Sequence, residues 1–182
     1  GIPYERLMPN QYPLSLAKRD AETVDQLVSV AKRFKPDILH TTTDYHNAII
    51  VSRAAEILGI PWIYEVRGEL ESTWLSRFPE EEQPEASQSE FYQLAHAQEA
   101  QAIGKASAVV SLSEVSKKAM IDCGVDGAKI HVVPNAVDET LIGKEYDQEA
   151  IRDELGLPHT TIIGSVTSVV GYEGLDDLIR AT

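Results

Sequence analysis

Hydrophobic positions along this chain alternate between two periods. After an irregular opening marked by Pro3, Pro9 and Pro13, Val24, Leu27, Val28 and Ala31 fall at i, i+3, i+4 and i+7. That spacing is one face of a helix over residues 15–34, ended by Pro36. Asp37-Ile-Leu-His-Thr-Thr then reads as a short strand. A second helix follows in which Ile50, Ala54, Ile57 and Leu58 share a face before Gly59 and Pro61 stop it. Trp62-Ile-Tyr-Glu-Val-Arg67 is the next strand. The same grammar returns downstream as a long helix over residues 86–105, a strand Ala108-Val-Val-Ser-Leu112, a helix N-capped by Ser113 and closed by Gly124, and a strand Ile130-His-Val-Val133. Strands separated by single amphipathic helices call for right-handed βαβ crossovers. The expected fold class is α/β, a Rossmann-like parallel sheet flanked by helices on both faces.

Two stretches break this rhythm. Residues 69–90 hold seven glutamates against one arginine, together with Trp74, Phe78, Pro79 and Pro84. They read either as a long loop or mobile lid on the C-terminal edge of the sheet or as a solvated acidic linker. After Pro134-Asn135-Ala136-Val137-Asp138 the pattern slackens into a polar connection and a short helix at 148–155, closed by Gly156 and Pro158. Thr161-Ile-Ile-Gly-Ser-Val-Thr167 then reads as a new strand, and Leu175, Leu178 and Ile179 open a last helix. The expected organisation is one Rossmann-like domain over 1–138, a linker over 139–158, and the start of a second Rossmann-like domain over 159–182. The last unit is too small to bury its own faces, so dimerisation or swapping of residues 158–182 is expected.

Composition narrows the partners. The 182 residues carry a formal net charge of −13, which opposes an electrostatic grip on nucleic acid or anionic lipid. One cysteine, Cys123, excludes an intramolecular disulfide and a Cys-rich metal site, and fits a reducing, cytoplasmic compartment. It shares the apolar phase of Val115 and Ala119, which predicts a buried small hydrophobe. No apolar run approaches the ~20 residues of a membrane span, and the opening Gly-Ile-Pro-Tyr-Glu-Arg does not read as a signal peptide. His40 and His46 have neither helical metal-pair spacing nor a cysteine partner, so no metal and no cofactor are expected.

Four segments in order carry a resemblance: Pro36-Asp-Ile-Leu-His40; Gly59-Ile-Pro-Trp-Ile-Tyr-Glu-Val-Arg-Gly68; Ala106-Ser-Ala-Val-Val-Ser-Leu-Ser113; and Ile130-His-Val-Val-Pro-Asn-Ala-Val-Asp138. Together they resemble the retaining GT-B glycosyltransferases, the group that includes glycogen-synthase-like enzymes. The resemblance implies a first domain that holds a carbohydrate or lipid-linked acceptor, a second that holds a nucleotide-sugar donor, and a cleft where transfer occurs. It also implies that this chain spans the later half of the first domain, the crossover and one βα unit of the second.

Breaking a sugar to diphosphate bond builds negative charge on the leaving oxygens, so a site needs fixed cations or helix N-terminal amides there. The family usually supplies a Gly-Arg pair and a Lys-Gly pair; this chain has Thr167-Ser168 and Glu173-Gly174 in those places. Ser168 carries no charge and Glu173 would repel a diphosphate, while Gly174 still permits close backbone approach. Where many relatives place a histidine before the glycine that ends a first-domain strand, this chain has Arg67-Gly68. Arg67 cannot act as a base at neutral pH but can hold a phosphate as a fixed cation. The alternative is a salt bridge to Glu65, Glu69 or Glu71. His40 is a candidate for an acceptor hydroxyl, or else a structural histidine. Asn135 matches the family's Pro-Asn-Gly-Val-Asp linker with Ala136 in place of glycine, at about 1 kcal/mol if that position needs positive φ. Asp138 reads as a turn or cap residue.

The sequence therefore reads as part of a sugar-nucleotide-dependent glycosyltransferase of polysaccharide or glycoconjugate assembly. Arg67, Gly68, His40 and Asn135 are the substrate-binding candidates, Ser168, Glu173 and Gly174 lie on the donor side, and no catalytic residue is assigned. The isolated piece is expected to be inactive. A non-catalytic α/β binding or assembly module with a degenerate donor site is the alternative.

Overall fold

The computed structural model describes residues 3–8 and 15–182. Pro9 and Pro13, which mark the irregular opening, lie outside the described residues. By its internal contacts the chain divides into two units, residues 1–134 and 135–182.

The first unit runs α1 (Leu16–Phe34), β1 (Leu39–Thr42), α2 (Tyr45–Leu58), β2 (Trp62–Val66), α3 (Leu70–Leu75), α4 (Gln83–Ala86), α5 (Glu90–Lys105), β3 (Ala108–Ser111), α6 (Glu114–Asp122) and β4 (Ile130–Val132). Capping residues set the helix boundaries. Ser15, Asp44, Ser89 and Ser113 each accept a backbone N–H in the first turn of α1, α2, α5 and α6. Gly59 closes α2 at φ 67°, donating its N–H to Ala55 and Glu56 carbonyls. The helix expected over 86–105 begins at Glu90 instead, because Ser89 caps it and Gln83–Ala86 forms a separate turn.

The four strands are parallel in the order β1-β2-β3-β4, with Thr41 beside Tyr64 and Tyr64 beside Val109. A strand order that advances one place at each right-handed crossover lays every crossover helix on the same side. Accordingly Trp62, Tyr64 and Val66 of β2, Val109 of β3 and Ile130 of β4 form one core with Ala48 and Ala55 of α2, Ala102 and Ile103 of α5 and Met120 of α6. Val24 and Val28 of α1 pack on Ala54 in an adjoining cluster. The expected helices on both faces are thus replaced, among the described residues, by helices on one. On the other face His40, Thr42 and His131 are exposed, and Ile63, Glu65, Ala108 and Val110 only half-buried.

Three local expectations are corrected. Ile57 is exposed, and α2 buries its small residues instead, since Ala48, Ala54 and Ala55 let it approach the sheet and α1 closely. Cys123 and Val115 are exposed, because the buried residue of α6 is Met120, one position away from the anticipated phase. Residues 69–90 form neither a structureless loop nor a bare acidic linker. They contain α3 and α4, and Trp74 packs against Phe78 and Phe91 with ring centroids 4.7 and 4.8 Å apart.

The second unit holds α7 (Gln148–Leu155), closed by Gly156 at φ 64°, a 3₁₀ turn Gly171–Glu173 and α8 (Leu175–Ala181). No residue from 135 to 182 is buried. The strand expected at 161–167 does not form. An extended segment becomes a strand only where a neighbour accepts its ladder hydrogen bonds, and among the described residues β1 to β4 pair only with one another.

Candidate functional site

Alternation along β2 decides which side chains meet. With Trp62, Tyr64 and Val66 turned toward the helices, Ile63, Glu65 and Arg67 fall on the opposite, open face. There Glu65 uses both carboxylate oxygens: Oε1 accepts from Arg67 Nη1 at 2.9 Å, and Oε2 lies 3.2 Å from His40 Nε2. Glu65 is largely shielded, while the Arg67 and His40 side chains are each about half exposed (51% and 50%), so the trio presents two nitrogen-bearing groups on one anchored carboxylate. Beyond the strand, Thr43 Oγ1 accepts the Arg67 backbone N–H at 2.8 Å. The Thr43 N–H in turn reaches the Glu65 carbonyl at 3.1 Å. These bonds continue the pairing of β1 with β2 past their ends and fix the backbone that carries Arg67.

His40 is the second residue of β1, and the strand continues to Thr42. Its place is therefore on the open face of the sheet, short of the C-terminal rim. Arg67 and Gly68 do reach the rim. They line a cleft of about 290 Å³ at the ends of β2 and β3 with Glu69, Ser72, Leu112 and Ser116. Gly68 has ordinary backbone geometry, and an added Cβ would meet nothing within 4 Å. A glycine there keeps space open over the rim; the backbone does not demand it.

The remaining sequence candidates lie in the second unit. Asn135 is exposed in the irregular segment that opens it, and Ala136 avoids the left-handed region, so alanine adds no backbone strain there. Asp138 is a cap, accepting the backbone N–H and hydroxyl of Thr140 at 2.8 and 2.7 Å, and these bonds hold its carboxyl below the usual range. Ser168 is exposed, and Glu173 ends the 3₁₀ turn. Gly174 takes φ 65° between that turn and α8. Asp176 and Asp177 occupy the first turn of α8, both paired with Arg180 at 2.9 Å. With Glu173 they make this terminus acidic, the opposite of what a diphosphate requires.

Sequence reasoning missed a buried polar pair behind the sheet. Tyr64, fully enclosed, donates its hydroxyl to Glu99 Oε1 at 2.5 Å. Glu99 is 5% exposed, and among the described residues its Oε2 has no hydrogen-bond partner. Desolvation raises the Glu99 carboxyl above the ordinary range against the lowering effects of the Tyr64 bond and of the Tyr45 backbone N–H, and desolvation raises the Tyr64 hydroxyl too. The available signal was the placement of Glu99 between Ala95 and Ala102, on the helix face turned to the sheet. Glu71, also buried, lies 3.1 Å from His96 Nδ1. His46 pairs with Asp44 at 3.1 Å and stacks on Tyr45. Among the described residues no group of three or more His, Cys, Asp or Glu could hold a metal ion, and no helix is long and apolar enough to cross a membrane.

Comparison with known proteins places this geometry in context. The profile of the family described as Glycosyltransferase Family 4 matches residues 4–141. Among solved structures, HepE of Anabaena, determined in complex with UDP and glucose, shares 22% identity at a TM-score of 0.69 over 94% of this chain and 42% of its own. Two others superpose at a TM-score of 0.49. They are the UDP-GlcNAc 2-epimerase of Methanocaldococcus jannaschii (16% identity; 68% of this chain, 30% of that one) and MnaA of S. aureus with UDP (15%; 82% and 37%). The chain thus spans less than half the length of each. No curated protein matches by sequence. The likeness to HepE shows the fold, a partial GT-B arrangement built on a Rossmann-like sheet.

Proposed function

The chain belongs to Glycosyltransferase Family 4, and from that premise we propose that its first unit is the acceptor-side wall of a glycosyltransferase. The reaction moves a sugar from a nucleotide-activated donor to a carbohydrate or lipid-linked acceptor in polysaccharide or glycoconjugate assembly, in a cytoplasmic setting. The observation that carries this reading is the rim cleft at the ends of β2 and β3, where Arg67 is held by Glu65 and Thr43 beside the open space over Gly68. Ligands of open α/β sheets bind beyond the carboxyl ends of the strands. Arg67 supplies a fixed cation for a phosphate-bearing group, and His40, on the same carboxylate, orients an acceptor hydroxyl. UDP and glucose bound to HepE support a nucleotide-sugar donor. Residues 139–158 form the crossover, Asn135 precedes it, and residues 159–182 open the donor-binding domain.

The acidic turn at Glu173, Asp176 and Asp177, with Ser168 in place of a cation, leaves the donor diphosphate unclamped on this chain. The 182 residues alone are therefore inactive in this reading. The test is nucleotide release from nucleotide-sugar donors by the chain: turnover above a no-enzyme control, abolished by Arg67→Ala, refutes the inactivity. The same acidic turn favours a second reading, a binding or assembly module that has lost its donor site. Calorimetric titration of the full-length protein with nucleoside diphosphates separates the two, since failure to bind any of them favours the module.

A further inference from the structure

Behind the sheet, on the side away from His40, a cavity of about 190 Å³ lies between the end of β2, α3, α5 and α6. Its apolar walls include Val66, Ile103, Met120 and Val125. Three carboxylates also line it. Glu69 accepts from the Ser72 hydroxyl at 2.7 Å, and Glu71 is paired with His96. Glu99 keeps one oxygen on Tyr64 and, among the described residues, leaves the other without a partner, although the residue is only 5% exposed. No lysine or arginine stands among the lining residues. Tyr92 adds an aromatic ring, lying parallel to His96 at 6.2 Å.

A buried carboxylate oxygen with no donor is costly, because it has lost its water without gaining a hydrogen bond. The surrounding field is negative, since Glu71 and Asp44 both act on Glu99 in the sense that disfavours a second negative charge. Such a site can accept a proton or a cation. The apolar walls exclude a strongly hydrated metal ion, and the described residues hold no cluster of metal ligands. They suit a short hydrocarbon body whose head group donates several hydrogen bonds and carries positive charge. An ammonium meets both demands and gains from an aromatic face nearby.

We propose that this cavity binds a small organic ammonium, with Glu99 Oε2 as the acceptor of its head group and the apolar walls around its body. The cavity adjoins the rim cleft, sharing Val66, Glu69 and Ser72 with it, but its polar centre is Glu99, which the cleft lacks, and its test is independent of any sugar transfer.

Cys123 provides the readout. It is the only cysteine of the chain, it is exposed, and it lines this cavity. An occupant should shield it from a neutral alkylating agent. The experiment measures the rate of Cys123 alkylation by iodoacetamide in the full chain with n-butylammonium, and separately with 1-butanol, at matched ionic strength. Saturable protection by the ammonium is expected, about threefold at twice its dissociation constant, with none from the alcohol and none in a folded Glu99→Gln chain. Equal protection by both compounds, protection by neither, or undiminished protection in folded Glu99→Gln overturns the proposal. The contrast between ammonium and alcohol on the unaltered chain stands even if the variant fails to fold.

Discussion

Glu99 and Lys35 show how single residues of this sheet domain hold conformations that their chemistry resists. Glu99 is buried, and desolvation raises its carboxyl although the hydrogen bond it accepts from Tyr64 acts the other way. A carboxyl whose folded value lies above its unfolded one binds more protons in the native state, so its contribution to stability is lost as pH rises from the ordinary glutamate value through the folded one. Denaturant unfolding of the chain should thus show a loss of stability over that window, and Glu99→Gln should flatten it; an unchanged slope would contradict the assignment. Lys35 closes α1 at φ 52°, donating its N–H to the Ala31 carbonyl at 2.6 Å. The left-handed conformation costs a non-glycine residue about 1 kcal/mol. Lys35→Gly should therefore raise the unfolding free energy by about that much, a gain that equilibrium denaturation can resolve.

At the scale of elements, the segment between β2 and α5 shows why composition misleads. Its glutamates suggest a solvated stretch, yet Trp74, Phe78 and Phe91 knit α3 to α5, and Glu71 is drawn inside beside His96. Limited digestion with a glutamate-specific protease should leave Glu80, Glu81 and Glu82 slow to cut in the native chain and quickly cut in Trp74→Ala, since the variant removes the ring that both other aromatics pack on; equal rates would show the segment open already. Most periodic elements were legible in the sequence because they carry their own signals: Ser113 caps a helix, and Gly59 and Gly156 end helices, whereas the Ser89 cap that starts α5 at Glu90 was not read. The pattern of β2 put Arg67 and Gly68 at the strand end, while a binding role for them comes from the family resemblance. What escaped depends on pairing between distant residues. Glu65 joining Arg67 to His40, Glu99 meeting Tyr64 across 35 positions, and residues 161–167 finding no neighbouring strand are decided by tertiary partners. Periodicity also cannot say which of two adjacent residues, Ala119 or Met120, a nine-residue helix will bury.

For the whole molecule, the two units differ in how they are stabilised. The first has a continuous core under its sheet, whereas the second buries no residue and exposes Ile163, Val166, Val169 and Ile179. Backbone amides of β2 and β3 have ladder partners on both sides and should exchange with solvent only through extensive opening of the first unit. Those of residues 161–167 have no ladder and should exchange within the dead time of a manual experiment; protection there would reveal a strand in solution. The exposed aliphatic residues bear on assembly in the same way. A unit of this size cannot bury them against itself, and association with a second copy removes them from water at about 25 cal/mol per Å². Sedimentation should therefore show a weight-average mass that climbs with concentration, and Ile163→Asp combined with Val166→Asp should return the chain to monomer. Net charge of −13 opposes this association at long range, so the effect should strengthen as salt screens the repulsion. A mass that stays monomeric at high concentration and high salt would mean that these side chains remain in water.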